Sequence, residues 1–341
     1  MDKKRIKRYS LTVLSIAAIS VITLYAYWNH IANIEYDGDE EKWIYIPEGA
    51  TPDYINDELT SKLGTPGKNA VRLWRWYGGD VSKARGAYRV EPGTSAFQIF
   101  KTISRGAQTP IKLTFNNIRT IEQLASRIDN RMEMDSTEFM KAIDSILPEN
   151  GFKKPGYVAA FLPDTYEFYW TATPDKVVNT LLQHRNRFWS DERRSKAKSL
   201  GLTPVEIATI ASIAEEETNS RPERGTVARL YLNRIHRKMP LQADPTIKFA
   251  LGDFSIRRIT DRHLNVQSPY NTYKHAGLPP GPIRMPEAAT LDAVLNSNPH
   301  NYIYMCAKED FSGRHNFTAD YATHLDNARR YRQALNRRNI K

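Results

Sequence analysis

The sequence predicts an α+β protein with an N-terminal transmembrane helix, one or more small α/β modules, and a mainly helical α+β domain. Three observations predict this fold class. A charge-free apolar run follows a basic N-terminus, three short strand–turn–helix units come next, and several capped amphipathic helices fill the middle of the chain. With 341 residues, of which 40% are apolar, the chain is long enough for two or three domains.

The N-terminal segment predicts a membrane anchor. Residues 9–33 contain no Asp, Glu, Lys or Arg and are mostly apolar. This run covers the ~20 residues that a helix needs to cross a ~30 Å hydrocarbon core, and it closes with aromatic residues suited to the membrane–water interface. The basic residues that precede it favour a cytoplasmic N-terminus. We predict a cytoplasmic tail at 1–8, a transmembrane anchor at 9–30 and an extracytoplasmic remainder; the alternative is a cleaved signal peptide.

The charge and cysteine content limit the possible partners. The formal net charge of +11 is compatible with nucleic acid, an anionic membrane or an acidic polymer. Because the predicted anchor exports most of the chain, we expect no nucleic-acid partner. The single cysteine, Cys306, allows no intrachain disulfide and no cysteine-based metal site. We also find neither a His/Asp/Glu cluster with metal-ligand spacing nor a phosphate-binding glycine loop, and therefore expect no metal or cofactor.

Three sequence units after the anchor each predict a short strand, a turn, a Thr or Ser N-cap and an amphipathic helix. Their strands and turns are Ile44–Thr51, Tyr88–Ser95 and Lys112–Arg119. Strand–helix units of this kind resemble LysM modules, which bind N-acetylated glycans, so we predict a LysM-like glycan-binding region at 40–110. The alternative is that the units are a common packing solution without a ligand.

From about residue 135 the pattern is mainly helical, and residues 111–341 are predicted to form one domain. N-caps at Asp135, Thr173 and Thr203 begin three of its helices. Pro follows both threonines at the first helical position, and Glu206 completes a capping box with Thr203. A strand at Tyr302–Ala307 and a basic helix from about Thr318 end the chain.

The third of these helices ends in the consecutive carboxylates Glu215, Glu216 and Glu217. Three like charges at the end of an apolar helix repel each other, which makes one of them a candidate for chemistry. A helical projection at about 100° per residue puts Glu216 opposite the apolar stripe, in solvent. Glu215 shares its side with small residues, and Glu217 shares its side with two isoleucines. We therefore predict that Glu215 is the half-buried, cleft-facing carboxyl, in a setting that favours the protonated form a general acid requires. The alternative is three surface glutamates paired with arginines.

Several ordered motifs resemble the endolytic murein transglycosylases (the MltG/YceG-like family). They are Ser212-Ile-Ala-Glu-Glu-Glu-Thr218, Leu162-Pro-Asp-Thr-Tyr-Glu-Phe168, Tyr231-Leu-Asn-Arg234, Leu241-Gln-Ala-Asp-Pro-Thr246, residues 268–273, residues 277–283, and Gly313-Arg-His-Asn-Phe-Thr318. The resemblance runs from about residue 40 to 330 and implies that the family's catalytic glutamate is Glu215.

The same motifs supply the other candidate site residues. Polar and aromatic side chains in loops can bond sugar hydroxyls and acetamido groups or stack on a pyranose ring. The predicted substrate-binding residues are Asp164, Glu217, Asn233, Gln242, Asp244, Tyr270, Asn271, Tyr273 and His315. Each also has a structural interpretation, as a turn former, a cap or a surface residue.

The resemblance implies a lyase of the bacterial inner membrane whose catalytic domain is periplasmic. Its reaction would cut the MurNAc–GlcNAc bond within nascent peptidoglycan strands, leave 1,6-anhydroMurNAc ends and limit strand elongation. One glutamate would act as both acid and base. The expected partners are glycan strands, the lipid bilayer and peptidoglycan synthases. Two alternatives remain. One is a non-catalytic glycan-binding scaffold. The other is a two-carboxylate muramidase that pairs Glu215 with Asp164, Glu217 or Asp244.

Overall fold

The computed structural model describes residues 3–338, with side chains from Arg8 onward, and has mixed α+β architecture dominated by helices. The predicted tail, residues 1–8, falls largely outside the described side chains. The chain divides into two compact units. Unit 1 comprises residues 1–112 and 167–172, and unit 2 comprises residues 113–166 and 173–341.

Unit 1 begins with the long helix α1 (Lys3–Ala32). Its segment Arg8–Ala32 is long and apolar enough to cross a membrane. The other elements of the unit are β1 (Lys42–Ile46), α2 (Pro52–Leu63), α3 (Thr65–Trp76), α4 (Val81–Ala84), β2 (Gly86–Val90) and α5 (Ala96–Ser104). The strands β1 and β2 pair antiparallel, with Ile44 opposite Tyr88. The first two predicted strand–helix units therefore share one sheet. The structure does not establish that they are LysM modules.

The helices α2 and α5 of unit 1 begin at the Thr and Ser N-caps that the sequence predicts. The Thr51 side chain accepts a hydrogen bond from the Tyr54 backbone N–H and caps α2. Ser95 caps α5 and forms a capping box with Gln98. The core beneath the sheet combines strand and helix residues such as Ile44, Ile55 and Ile99. The helices α3 and α4 lie in a stretch for which the sequence predicted no element.

The strand β3 (Ile111–Phe115) pairs with β4 (Asp164–Phe168), and the division between the units falls within both strands. Unit 2 then contains α6 (Ile121–Asp129), α7 (Ser136–Glu149), α8 (Pro174–Phe188), α9 (Asp191–Ser199), α10 (Pro204–Glu217), α11 (Arg224–His236), α12 (Asp244–Leu251), α13 (Asp261–Leu264), α14 (Ala288–Leu295), β5 (Tyr304–Ala307), β6 (His315–Thr318) and α15 (Tyr321–Arg337). Antiparallel pairing joins β5 to β6.

The predicted caps of unit 2 are confirmed. Asp135 caps α7, Thr173 caps α8, and Thr203 forms a capping box with Glu206 at the start of α10. The helix α10 lies at the centre of the unit, since its residues 207–215 are all buried. Its neighbours in the hydrophobic core come from α11 and α14, among them Val227 and Leu291. This central position decides the environments of the three glutamates at its end.

Candidate active site

Glu215 is a fully buried carboxylate held by arginines. Its side chain is 1% exposed. Oε2 accepts hydrogen bonds from the Glu287 backbone N–H (3.0 Å) and the Thr290 hydroxyl (2.7 Å). Arg284 lies 3.2 Å from Oε1 and Arg224 lies 3.6 Å from Oε2. The prediction that Glu215 is half-buried and faces a cleft is therefore wrong. These contacts describe a structural ion pair between α10, α11 and the loop before α14.

Glu216 is also paired with arginines rather than solvated. Arg119 donates to both of its carboxylate oxygens, at 2.9 and 3.0 Å, and Arg284 donates to Oε1 at 2.8 Å. The Glu216 side chain is only 19% exposed. The prediction that Glu216 points into solvent is wrong because Arg119 and Arg284 cover this side of the end of α10. Arg284 bridges Glu215 and Glu216 and neutralises part of the charge of both.

Glu217, the last residue of α10, lines an open cavity of about 360 Å³. Its Oε1 accepts a hydrogen bond from the Tyr231 hydroxyl at 2.8 Å. The pKa of Glu217 is raised from 4.5 to about 7, mainly by burial and further by the negative charge of Asp244, while the Tyr231 hydrogen bond acts in the opposite direction. A carboxyl with a pKa near neutrality can both donate and accept a proton at physiological pH.

The cavity concentrates polar side chains around Glu217, on a scale that suits a small ligand or one or two sugar rings. Residues from α10, α11, α12, the segment before α12, the segment after α13, and the C-terminal strands and helix contribute to its wall. The polar wall is formed by Glu217, Tyr231, Arg234, Gln242, Asp244, Tyr273, His315 and His324. Five of the ten predicted site residues therefore meet in one cavity.

The segment before α12 brings Gln242 and Asp244 to the cavity. Gln242 has a φ of 53°, in the left-handed region that non-glycine residues rarely adopt, and such strain is frequent at functional sites. Its backbone N–H donates to the Thr272 carbonyl at 3.0 Å. The Tyr273 hydroxyl donates to Asp244 Oδ1 in a short hydrogen bond. Burial and Asp244 together raise the pKa of Tyr273, so the phenol keeps its proton and orients the carboxylate.

Two further side chains of the cavity depend on long-range contacts. The distance from His315 Nδ1 to Glu223 Oε2 is 3.2 Å, and the His315 backbone N–H donates to Glu223 Oε1 at 3.1 Å. Arg234 is buried and donates to the carbonyls of Ile303 (2.7 Å) and Leu241 (2.8 Å) and to Gln242 Oε1 (3.2 Å). Arg234 therefore ties the cavity wall to β5 and to the segment before α12.

Four predicted substrate-binding residues lie away from this cavity. Asn233 donates to the carbonyls of His300 and Tyr302 at 2.7 and 2.9 Å. Asn271 is fully buried and holds its own loop through hydrogen bonds to residues 264 and 266. Tyr270 packs on Phe249 in the core, with ring centroids 4.7 Å apart. Asp164 is half exposed and pairs with His184 at 3.0 Å. Each of these contacts joins two parts of the protein and stabilises its fold.

Among the described residues, no group of three or more His, Cys, Asp or Glu side chains is arranged to hold a metal ion. The cavity itself offers a carboxyl with a raised pKa, Glu217, surrounded by hydrogen-bonding groups.

The model of the YceG-like family matches residues 44–330 of this chain. The chain belongs to the YceG-like family. The endolytic murein transglycosylase of Bacillus subtilis (strain 168) is 26% identical over 298 residues, which cover 81% of each chain. The endolytic murein transglycosylase of Streptococcus pneumoniae serotype 2 is 24% identical over 306 residues, which cover 80% of this chain and 55% of the pneumococcal protein. A crystal structure of a yceG-like protein from Listeria monocytogenes matches 85% of this chain and 99% of its own, with a TM-score of 0.58 and 24% identity.

Within this YceG-like chain, sequence reasoning missed three polar residues of the cavity wall, Tyr231, Arg234 and His324. Tyr231 and Arg234 lie in the same sequence motif as Asn233. Their spacing of three residues puts them on one face of α11, whereas Asn233 lies on another. Helical spacing could therefore have identified them together. His324 lies on α15, and no motif in the sequence pointed to it.

Proposed function

We propose that this chain is an endolytic peptidoglycan lytic transglycosylase in which Glu217 is the catalytic acid and base. The observation that carries this proposal is the position of Glu217 in the polar cavity, with its pKa raised to about 7. The names of the bacillary and pneumococcal relatives support the reaction class. Glu215 was the sequence-based candidate, but its side chain is only 1% exposed and lies against two arginines, Arg224 and Arg284, rather than in the cavity.

In the proposed reaction, protonated Glu217 donates its proton to the glycosidic oxygen between N-acetylmuramic acid and N-acetylglucosamine. The bond from C1 to that oxygen breaks, and the sugar leaves with a free 4-hydroxyl. The ionised Glu217 then removes the proton from the muramoyl 6-hydroxyl as its oxygen attacks C1, which gives the 1,6-anhydro end. Acid and base are one residue, and the intramolecular nucleophile needs no positioned water.

The neighbouring groups fit this sequence of steps. The Tyr231 hydroxyl is 2.8 Å from Glu217 and stabilises the carboxylate that forms when the proton is given away. Gln242 and Asp244 are exposed to the same cavity and can bond sugar hydroxyls or stabilise the positive charge that develops at C1. Asn271, another predicted substrate-binding residue, is bound to its own loop instead.

A second candidate function is a two-carboxylate muramidase, because Asp244 lines the same cavity as Glu217. In that reaction Asp244 would act as the nucleophile or activate water, and the product would carry a reducing end. The short hydrogen bond from Tyr273 occupies one Asp244 oxygen and weakens it as a nucleophile. A non-catalytic scaffold is the remaining alternative.

We further propose that α1 anchors the protein in the inner membrane by its segment Arg8–Ala32, with the N-terminus cytoplasmic and the catalytic unit periplasmic. Residues 40–110 are proposed to bind glycan strands, because their two paired strands, β1 and β2, with helices α2, α3 and α4 between them, resemble the strand–helix arrangement of a LysM-like module. An anchored enzyme would meet glycan as it emerges at the membrane, so peptidoglycan synthases are expected partners.

The test is to incubate the full-length protein with peptidoglycan and weigh the products. Anhydro ends released from within strands support the transglycosylase, reducing ends support the muramidase, and intact strands support the scaffold. Glu217→Gln should abolish cleavage. The matched control is Glu192→Gln, since Glu192 is 74% exposed on α9 and outside the cavity. Wild-type cleavage by the Glu217→Gln protein would overturn the assignment.

A further inference from the structure

An aromatic surface surrounds the end of the apolar helix in unit 1. We call it the juxtamembrane collar, and it consists of Tyr27 and Trp28 on α1, Trp76 and Tyr77 at the end of α3, and Phe97 and Phe100 on α5. The collar is joined by ring contacts. Trp28 meets Phe97 edge-on at 5.7 Å, Tyr27 lies 6.3 Å from Trp76, and Tyr77 stacks on Phe100 at 5.3 Å.

The contacts between α1 and α3 fix the direction of α3. Asn69 Nδ2 donates to the Ile31 carbonyl at 3.4 Å, near the C-terminal end of α1. Leu73, one turn later, belongs to the same buried cluster as Ile31. Trp76 follows and contacts Tyr27, which is an earlier residue of α1. The two helices therefore run antiparallel, and the C-terminal end of α3 points toward the apolar segment of α1.

Helix geometry gives the depth of the C-terminal end of α3 relative to the bilayer. At about 1.5 Å per residue, the 25 residues of the Arg8–Ala32 segment extend about 37 Å, which exceeds a hydrocarbon core of ~30 Å. The excess is about 7 Å, and we place it at the aromatic C-terminal end of the segment, among the lipid headgroups. Tyr27 is about 7 Å below Ala32 along the helix axis. Trp76 lies beside Tyr27, and Tyr77 follows Trp76 in the chain, so both lie near the level where Trp and Tyr are enriched in membrane proteins.

Two aromatic side chains of the collar, Trp76 and Tyr77, are exposed and suited to contact with a further surface. The side chains of Trp76 and Tyr77 are 53% and 59% exposed, although both are large aromatic groups next to an apolar helix. The turn that follows is tightly packed, since a Cβ on Gly79 would lie 2.0 Å from the Trp74 ring. Arg72 is exposed on the last turns of α3 and adds a cation that suits a phosphate headgroup.

We propose that unit 1 docks on the outer face of the same bilayer through the juxtamembrane collar, with Trp76 and Tyr77 inserted among the lipid headgroups. This inference rests on the proposed membrane anchor and goes beyond it. A transmembrane helix alone would leave unit 1 free to tilt, whereas the collar adds a second, lateral contact with the membrane. Unit 1 is then held against the surface at a fixed height.

The experiment measures depth with a spin label on the full-length protein in vesicles of phosphatidylethanolamine and phosphatidylglycerol. The chain has one cysteine, so Cys306→Ser gives a clean background. Labels are attached at three positions through Tyr77→Cys, Tyr25→Cys and Thr65→Cys. Tyr25 reports the anchor, while Thr65 is exposed at the opposite end of α3, about 18 Å from Tyr77 along the helix axis. Collision with oxygen reports lipid, and collision with a water-soluble nickel chelate reports solvent.

The expected result is a high oxygen-to-nickel collision ratio at position 25, a clearly raised ratio at position 77 and an aqueous ratio at position 65. An aqueous ratio at 77 together with a lipid ratio at 25 overturns the docking and leaves the anchor in place. An aqueous ratio at 25 overturns the anchor and the docking with it. Protection of position 77 from both reagents means that protein, and not lipid, covers the collar, and this also overturns the docking.

Discussion

Neutralising Glu215 and neutralising Glu217 should have opposite effects on this protein. In Glu215→Gln, the amide oxygen can still accept from Thr290 and from the backbone N–H of Glu287, but the amide NH₂ then faces Arg284. The variant loses an ion pair whose carboxylate is 1% exposed. Its amide NH₂ and the Arg284 guanidinium are both hydrogen-bond donors and would face each other. Each arginine keeps one other carboxylate, so the loss should fall at the lower end of the roughly 3–5 kcal/mol for breaking a buried pair, at about 3 kcal/mol.

Glu217→Gln should not destabilise the protein. Glu217 forms no ion pair with a described residue, and a Gln can accept the same Tyr231 hydrogen bond. Because its folded pKa of about 7 lies above the ordinary 4.5, the protonated form favours folding, and this stability is lost as pH rises from about 4.5 through 7. At pH ~8 the ionised carboxylate costs roughly 1–3 kcal/mol after allowance for its partial exposure. The neutral variant avoids that cost.

The assay is thermal unfolding at pH ~5 and ~8, read beside peptidoglycan cleavage at room temperature. For a unit the size of unit 2, about 3 kcal/mol corresponds to a fall in Tm of roughly 6–12 °C for Glu215→Gln, with cleavage retained below the transition. Glu217→Gln should have an unchanged Tm at pH ~5, a raised Tm at pH ~8 and no cleavage. The reasoning is refuted by a Glu215→Gln protein that is inactive at wild-type Tm, or by a Glu217→Gln protein with the Tm loss expected for Glu215→Gln.

Three further outcomes follow from the cavity. Cleavage by the wild type should fall as pH rises through about 7, where Glu217 loses its proton. Tyr231→Phe should raise the pH at which activity falls by roughly one pH unit, because the variant lacks a hydrogen bond that stabilises the carboxylate. Tyr273→Phe should lower kcat by roughly tenfold without a change in Tm, because Asp244 loses the hydroxyl that orients it; unchanged kcat would exclude Asp244 from the site. Arg234→Lys should lower the free energy of unfolding in urea by about 2–4 kcal/mol, since an ammonium cannot reach the same set of oxygens; a loss below ~0.5 kcal/mol would contradict the structural role.

Local signals in the sequence were enough for the helix starts. Thr203, Pro204 and Glu206 form the start of α10 as predicted, because a capping box involves only residues within one turn. The family motifs likewise located Gln242 and Asp244, which do line the cavity. These features depend on neighbours in sequence, or on motifs long enough to be specific, and neither requires knowledge of the packing.

The phase of α10 could not be read from its own residues. A projection assumes one buried side and one solvent side, but α10 is surrounded, so small residues such as Ala208 and Ala211 face packed neighbours rather than a cleft. The two arginines that bind Glu215, Arg224 and Arg284, are 9 and 69 residues away along the chain, and no local sequence pattern predicts these contacts. The partners of Asn271 and His315 pose the same difficulty, because a polar loop residue can face a ligand or its own backbone.

The three consecutive glutamates have a physical explanation in their different partners. Glu215 and Glu216 each contact two arginines, and Arg284 is shared between them, so their charges are compensated inside the protein. Glu217 receives a neutral phenol instead, and it is the last residue of a helix whose C-terminal carbonyls carry a partial negative charge. Burial without a paired cation, beside that end of the helix dipole, favours the protonated carboxyl. Two compensated carboxylates therefore hold the end of α10 in place, while the third remains free to exchange a proton in the cavity.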